Sequence, residues 1–412
     1  MTTEAIQVVQ DLAVVMIAAA LMAALFDRLG QRPLVGYILV GIILGPYTPP
    51  FSLLTHPEIL DLLAQIGIVF LLMVLGMEYP VARLRSVGRV ALAIALSESL
   101  ATFATGYLAG IAFGLSNLDS LFLGLASSVT STVILASVLE EMGVIQEDAA
   151  GLVLGITVIE DVIAVTLLGI LQSVVSTGGL SLLGVGASLA LVVALIAGTI
   201  VVGSRTVPQL IDAVGRTNRQ DLLLLAILGL TFGLSILSSL IGISVATGAF
   251  LAGVLVAESK TQARARQLVN PLKELFGAIF FVSIGALMDF ALLPPYLLLV
   301  IAFIGVSLGV KFLVTYVVAR SQRIGPATAE RTALAIAGPR GELSLVVAKG
   351  GTDVGATGAF VLPIVGAVVL VTSIVAPFLI RGTWNPRPPP RPPSAIALGG
   401  GGPGGSETSL HA

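Results

Sequence analysis

The chain has 412 residues, of which 56% are hydrophobic and 11% are charged, and its formal net charge is −2. Because soluble domains carry about 25% charged residues, this composition excludes an ordinary soluble protein and predicts an integral membrane protein in the lipid bilayer. The small negative net charge argues against a nucleic-acid partner. The chain has no cysteine, which excludes disulfides, thiolate metal sites and cysteine nucleophiles, and its two histidines fall in a predicted loop and in the tail. No cofactor is therefore expected.

Thirteen apolar runs follow one another along the chain, most of them close to the roughly 20 residues that a helix needs to cross a bilayer. They are continuously apolar rather than alternating, which favours helices over barrel strands. The predicted crossings lie near residues 5–26, 34–46, 59–77, 88–114, 118–139, 149–174, 180–203, 220–239, 242–257, 270–287, 295–319, 328–348 and 355–380. The sequence thus predicts an all-α membrane domain at 1–383 and a disordered Pro- and Gly-rich tail at 384–412.

Basic residues are unevenly distributed between the two sides of the membrane. If the N-terminus is outside, the inside loops and the tail hold 18 of the 21 Lys and Arg residues: Arg28, Arg32, Arg83, Arg85, Arg89, Arg205, Arg216, Arg219, Lys260, Arg264, Arg266, Lys273, Arg320, Arg323, Arg331, Arg381, Arg387 and Arg391. Since cytoplasmic loops are enriched in Lys and Arg, this predicts an N-terminus outside and a C-terminus in the cytoplasm, in the inner (plasma) membrane. The other cations are Lys311 and Arg340, within apolar segments, and Lys349.

The chain resembles itself at a spacing of about 212 residues. The matching positions are Gly36, Gly41 and Gly45 with Gly248, Gly253 and Ala257, and Phe70 and Met77-Glu78-Tyr79 with Phe281 and Met288-Asp289-Phe290. Two six-helix copies, near 5–175 and 219–380, are separated by one linker helix near 180–203, so the second copy is inverted relative to the first. Inverted repeats with broken helices are typical of secondary transporters, whose substrate site lies near the midplane.

Two crossing segments are predicted to be broken at matching positions. In the second copy, Pro339 removes a backbone donor and disfavours the helix before it. In the first copy, residues 127–132 are rich in hydroxyl side chains, and a break is inferred from these and from the repeat; interhelical packing is an alternative. Freed carbonyls and helix ends can coordinate a cation. Thr130 and Ser131 are the best-placed oxygen donors, while Arg340 and Glu342 are expected to neutralise one another rather than to bind the ion.

Two adjacent carboxylates, Glu160 and Asp161, lie at the centre of an apolar segment. An ionised residue there costs roughly 3 kcal/mol on insertion scales and defaults to a functional interpretation. Successive helical residues point about 100° apart, so only one of the two can face the broken helices while the other turns to a neighbouring helix. Lys311 is the obvious buried counter-charge, and Glu98, equivalent to residue 310 in the repeat, is either a second buried acid or an interhelical partner. A carboxylate that holds either a proton or a monovalent cation is already an exchanger; an ion pair that only fixes packing is the alternative.

Four stretches resemble the monovalent cation:proton antiporter-2 family, which includes sodium/proton antiporters and glutathione-gated potassium-efflux systems. They are residues 28–37 (RLGQRPLVGY), 41–46 (GIILGP), 280–285 (FFVSIG) and 338–342 (GPRGE). The resemblance implies a thirteen-helix fold with a core domain and a dimerisation domain, hence a homodimer. It implies that Asp161 is the essential ion- and proton-binding residue. The preceding residue is aspartate, asparagine or glutamine in different subgroups, whereas here it is Glu160. The resemblance also implies a Glu160–Lys311 pair that loosens when the cation binds, as in charge-moving members.

The function expected from these features is Na⁺/H⁺ exchange by alternating access, with the two ions competing for Asp161. A K⁺/H⁺ antiporter or potassium-efflux transporter is one alternative, and an Na⁺-coupled organic-solute symporter of similar repeat plan is another. A gated channel lacks a filter-like stretch of carbonyls, and an enzyme lacks a convincing nucleophile and base. The sequence does not choose between Na⁺, Li⁺ and K⁺, because all three take oxygen ligands.

Overall fold

The computed structural model of the chain describes residues 3–29, 33–48, 54, 57–78, 88–145, 147–176, 190, 194, 198–240 and 245–384. The α-helices are α1 Thr3–Arg28, α2 Pro33–Leu44, α3 Pro57–Met77, α4 Arg89–Ala112, α5 Asn117–Ser128, α6 Thr132–Glu141, α7 Asp148–Ser176, α8 Ser204–Arg216, α9 Gln220–Leu240, α10 Val245–Ala257, α11 Gln262–Leu287, α12 Leu297–Gly305, α13 Lys311–Ser321, α14 Pro326–Ala337, α15 Glu342–Asp353 and α16 Val361–Thr383. A π-helical turn, Val306–Val310, joins α12 to α13. Most of the predicted linker helix at 180–203, and the tail from 385 onward, lie outside the described residues.

The described residues contain eight helices long and apolar enough to cross a membrane, and three shorter apolar helices. The eight include one crossing made of α5 with α6 and one made of α12 with α13. The second broken helix consists of the half-helices α14 and α15, which follow in the chain. The prediction of an all-α, multi-pass membrane protein with two broken helices is confirmed.

The helices pack as two bundles. The support bundle consists of α1–α3 and α8–α11, in which α3 lies along both α10 and α11, and α2 lies along α11. The core bundle consists of α4–α7 and α12–α16, in which α4 contacts α5, α7 and α13, and α15 contacts α5 and α16. The two bundles meet where α7 packs against α10. Both broken helices therefore belong to the core bundle.

Glycine allows the helices of the support bundle to touch along their backbones. A Cβ atom on Gly41 of α2 would fall inside van der Waals contact with the Val282 carbonyl oxygen of α11, and one on Gly285 would meet the Ile38 carbonyl oxygen. Such small residues bring membrane helices close enough for extensive packing.

The same contact recurs between α3 and α10. A Cβ atom on Gly76 would meet the carbonyl oxygen of Phe250, and one on Gly253 would meet that of Met73. In the repeat proposed from the sequence, α2 corresponds to α10 and α3 corresponds to α11. The two helix pairs are therefore reciprocal, and this supports the inverted repeat, which stays a prediction.

We expect Gly41→Ala to destabilise the protein, because its methyl group must displace the Val282 carbonyl on the facing backbone. Overpacking of this kind costs about 1–3 kcal/mol. Thermal unfolding in detergent measures the effect. The matched control is Gly229→Ala on α9, where nothing lies within 4 Å of the new Cβ atom and the helix gains propensity. Equal melting temperatures for the two variants would refute the close-packing argument.

The structure differs from the sequence predictions at three helix or domain boundaries. Residues 204–219 lie between two predicted crossings, but α8 occupies 204–216 and packs through Val207, Ile211 and Val214. A search for long apolar runs misses an amphipathic helix whose apolar residues lie on one side only. Similarly, α11 begins at Gln262, before the crossing predicted near 270–287. Trp384, assigned to the tail, is buried, with the Arg331 guanidinium 5.7 Å from its ring centroid, because its large apolar ring is stabilised by burial.

Candidate cation and proton site

The two broken helices cross in the core bundle and bind each other through their backbones. The first helix stops at Ser128 and resumes at Thr132, and between them Val129 and Ser131 are extended, with φ/ψ of −99°/136° and −75°/101°. The Ser131 N–H donates a hydrogen bond of 2.9 Å to the Pro339 carbonyl in the second break. The first break thus exists without a proline or glycine, as predicted from the hydroxyl cluster and the repeat.

Arg340 links the two broken helices where they cross. Its side chain is fully buried, and Nη1 donates to the carbonyl oxygens of Val129 at 2.7 Å and Pro339 at 3.0 Å. Nη2 donates to the carbonyls of Ser307 at 3.0 Å and Ala337 at 2.9 Å. Helix ends and π turns leave such carbonyls without their usual partners. One guanidinium therefore joins both breaks to the π turn that precedes α13.

The sequence prediction that Arg340 and Glu342 neutralise one another stays a prediction, while the hydrogen bonds of the Arg340 guanidinium go to backbone carbonyls and to the Thr130 hydroxyl. The guanidinium is directed to backbone carbonyls because the two helix breaks and the π turn expose several of them at one point. Glu342 is the partly buried first residue of α15. It lines a small cavity together with Asp161.

Lys311 binds two carboxylates and a hydroxyl inside the core bundle. Its Nζ atom is 2.9 Å from Glu160 Oε2, 3.0 Å from Glu98 Oε2 and 2.8 Å from Thr130 Oγ1. The Lys311, Glu160 and Glu98 side chains all have 0% exposure. Arg340 Nη1 lies 3.1 Å from the same Thr130 hydroxyl. Two basic and two acidic side chains therefore lie together in the interior, where a charge needs a partner.

The two carboxylates in this cluster come from different helices. Glu98 lies on α4 and also accepts a hydrogen bond of 2.9 Å from the Ser99 hydroxyl. Glu160 lies on α7 and accepts a bond of 2.8 Å from the Thr130 N–H. Of the two sequence alternatives for Glu98, the structure has both: it is a second buried acid and an interhelical partner.

Asp161 points away from the Lys311 cluster. Its side chain is buried and accepts a hydrogen bond of 3.0 Å from the Thr132 hydroxyl, at the first residue of α6. This division of Glu160 and Asp161 between two surroundings follows from the angle between successive helical residues. Asp161 therefore lies at the break itself, among hydroxyl groups.

The cavity beside Asp161 lies between the two bundles. Its lining includes Asp161 and Glu342, the three residues 130–132, and Leu75 from α3 of the support bundle. A movement between the bundles would therefore change access to Asp161. Carboxylate and hydroxyl oxygens are the donors that suit a hard monovalent cation.

The sequence predicted the hydroxyl cluster, and residues 130–132 all line the cavity beside Asp161, but the hydroxyls of Thr130 and Ser131 also have other partners. The Thr130 hydroxyl contacts Lys311 and Arg340 and donates to the Ile336 carbonyl at 3.1 Å. The Ser131 hydroxyl accepts from the Ile134 N–H at 3.4 Å and caps α6. Thr132 is the neighbour that sequence reasoning missed, although it belongs to the same cluster.

The fold and the buried charges define the class of protein: a multi-pass membrane transporter with two crossed broken helices. The family described as sodium/hydrogen exchanger, transmembrane, matches residues 15–385. The chain belongs to this family, and the antiporter family expected from the sequence is confirmed.

Individual relatives are similar over most of this chain. It is 30% identical to YbaL of Escherichia coli (strain K12) over 330 residues, which are 78% of this chain but only 58% of YbaL. It is 26% identical to the Na(+)/H(+)-K(+) antiporter GerN of Bacillus cereus over 378 residues, which are 91% of this chain and 96% of GerN. The solved sodium proton antiporter MjNhaP1 of Methanocaldococcus jannaschii has a TM-score of 0.71 at 16% identity, covering 91% of this chain and 96% of that one. This last likeness shows the fold.

Proposed function

We propose that this chain exchanges Na⁺ for protons across the membrane by alternating access, with the two ions competing for Asp161. The observation that carries the proposal is the buried Asp161 carboxylate at the crossed breaks, bonded to Thr132 and beside a cavity between the bundles. A buried carboxylate is stabilised either by binding a proton or by binding a cation, and it cannot hold both at once. The chain is a transporter in this proposal, not an enzyme, and the metal ion is its substrate.

The ligands proposed for the cation are the Asp161 carboxylate, the Thr132 hydroxyl and the Glu342 carboxylate. They come from three different helices, α7, α6 and α15, which the crossing brings to one cavity. Thr130 and Ser131 contribute backbone and capping interactions that hold the break open. Oxygen ligands alone favour alkali cations over softer metals.

The Glu160–Lys311 pair is proposed to couple cation binding to the charge of the core bundle. The Thr130 hydroxyl and N–H bind Lys311 and Glu160 respectively, and Thr130 is two residues from Thr132. A cation that draws Asp161 and Thr132 together would displace residues 130–132 and so loosen the Glu160–Lys311 ion pair. Glu98 gives Lys311 a second carboxylate, so the ammonium keeps a counter-charge while the pair is loosened. Exchange is then expected to move net charge.

The membrane arrangement proposed is the one that the sequence predicts. The inverted repeats at 5–175 and 219–380 are supported by the reciprocal glycine contacts of the support bundle. The outside N-terminus and the cytoplasmic C-terminus in the plasma membrane are supported by the distribution of Lys and Arg. The homodimer is proposed from the family resemblance, and cross-linking in native membranes tests it.

A K⁺/H⁺ antiporter is the second candidate, because the relative GerN carries both Na⁺ and K⁺ in its name. Purified protein in liposomes containing a pH-sensitive dye distinguishes the two when Na⁺, Li⁺ and K⁺ are added in turn. Saturable proton movement driven by Na⁺, altered by a membrane potential, is the expected result. Cation flux without proton movement would contradict antiport and favour a channel or a symporter.

The Thr132→Val variant is expected to raise the KM for the cation about ten-fold, the equivalent of one lost hydrogen bond to a charged group at ~1.4 kcal/mol. Thr132→Ser, which keeps the hydroxyl, is expected to restore most of the affinity. The matched control is Thr166→Val on α7, whose hydroxyl donates to the Val162 carbonyl. An unchanged KM in Thr132→Val, measured by the same liposome assay, would remove Thr132 from the ligand set.

A further inference from the structure

A second, larger cavity lies between the bundles at the end where α3 begins and α15 ends. Its volume is about 680 Å³, and its lining contains both polar and apolar side chains. Asp61 and Gln65 of α3 and Ser239 of α9 come from the support bundle, while Gln172 of α7 and Asp353 of α15 come from the core bundle. The cavity therefore exists only while the two bundles keep their present separation at this end.

An ion pair crosses this separation. Lys349 of α15 is buried, with 4% side-chain exposure, and its Nζ atom lies 2.8 Å from Asp61 Oδ1 of α3. The same ammonium also pairs with Asp353, one turn further along α15. Three other ion pairs each join elements of a single bundle: Arg266–Glu78, Arg331–Glu147 and Arg381–Glu141.

We propose that the Asp61–Lys349 pair is a latch that holds the bundles in the present arrangement, and that Asp353 is the partner that keeps Lys349 when the latch opens. This inference rests on the proposed function, since it requires the bundles to move during transport. A cation buried beside a moving boundary would be left unpaired when its partner leaves, which is costly. Asp353 moves together with Lys349 because both lie on α15, so the ammonium retains one carboxylate and the latch can open.

The two aspartates offer a matched comparison, because both bind the same ammonium but only Asp61 belongs to the other bundle. Since the chain has no cysteine, spin labels can be attached to Phe113→Cys and Leu240→Cys without background labelling. Both residues are exposed; Phe113 directly follows α4 and Leu240 ends α9, one helix from each bundle. The distance between the labels in lipid nanodiscs reports the separation of the bundles near the cavity.

We expect Asp61→Asn to change the ratio of long to short label distances about five-fold or more, the size of a typical coupling between conformational states. Asp353→Asn is expected to leave the latched distance dominant, because the bond across the bundles remains. The exchange of charges in Asp61→Lys with Lys349→Asp is expected to restore the wild-type distribution, since one lysine again faces two aspartates. Identical shifts in Asp61→Asn and Asp353→Asn, or no shift in either, would overturn the latch.

The latch and the proposed function can fail separately. The distances are measured at equal ion concentrations on both sides, so they do not depend on exchange. If the variants change the label distances as expected but the wild-type protein shows no Na⁺-driven proton movement, the proposed exchange is refuted and the latch is kept. If exchange is normal but the label distances do not change in Asp61→Asn, the latch is refuted and the proposed exchange is kept.

Discussion

Asp161→Asn should reduce cation-driven proton movement to the background of empty liposomes while leaving the fold intact. An asparagine keeps the shape of the side chain and can still accept the hydrogen bond from the Thr132 hydroxyl. It has no negative charge, so it offers a cation only a neutral oxygen, and it cannot take up a proton in exchange. The measurement is Na⁺-dependent dye response after reconstitution of equal amounts of protein.

The control for this variant is Asp221→Asn, which removes an exposed carboxylate paired with Arg219 at the start of α9. It changes the net charge by the same amount, far from the cavity, and should retain exchange. Melting temperatures of the two variants should stay within a few degrees of wild type, which separates lost chemistry from lost folding. Normal turnover in Asp161→Asn would exclude Asp161 as the carrier and, with it, the competition between proton and cation.

The position of the site could be predicted from the sequence because a membrane makes polar residues conspicuous. Glu160, Asp161 and Lys311 stand out in apolar segments, and their cost in the bilayer points to function. The repeat located the first break although residues 127–132 contain no proline or glycine. A crossing of the two breaks is what the predicted inverted order of the two copies leads us to expect.

The finer geometry depends on how far each chain segment turns after its break. The sequence cannot give the rotation of residues 130–132, so it could not tell that Thr130 faces Lys311 and Thr132 faces Asp161. Similarly, the partners of Arg340 are backbone carbonyls, which carry no mark in the amino-acid sequence. The π turn before Lys311 sets one of these carbonyls in place, and only coordinates reveal it.

Lys311→Met should lower the stability of the protein more than any substitution on its surface. The variant leaves Glu98 and Glu160 facing the same buried point with only Arg340 to balance them. Breaking a buried ion pair by removing one partner costs about 3–5 kcal/mol, because a charge remains without compensation. The expected result is a large drop in melting temperature, measured in detergent at constant pH and salt. Lys260→Met, which removes an exposed lysine, is the control and should melt close to wild type.

The second variant in this series tests whether charge balance is the reason for the loss. In Lys311→Met with Glu160→Gln, the cluster around residue 311 keeps one acidic side chain, Glu98, and one basic side chain, Arg340. The glutamine can still accept the hydrogen bond from the Thr130 N–H, so the break keeps that contact. We therefore expect the double variant to recover a large part of the stability lost in Lys311→Met, although two residues are changed. A double variant less stable than Lys311→Met would mean that Lys311 and Glu160 stabilise the bundle through separate contacts. The four buried charges would then not act as one balanced set, and the pair could not couple cation binding to the charge of the core bundle.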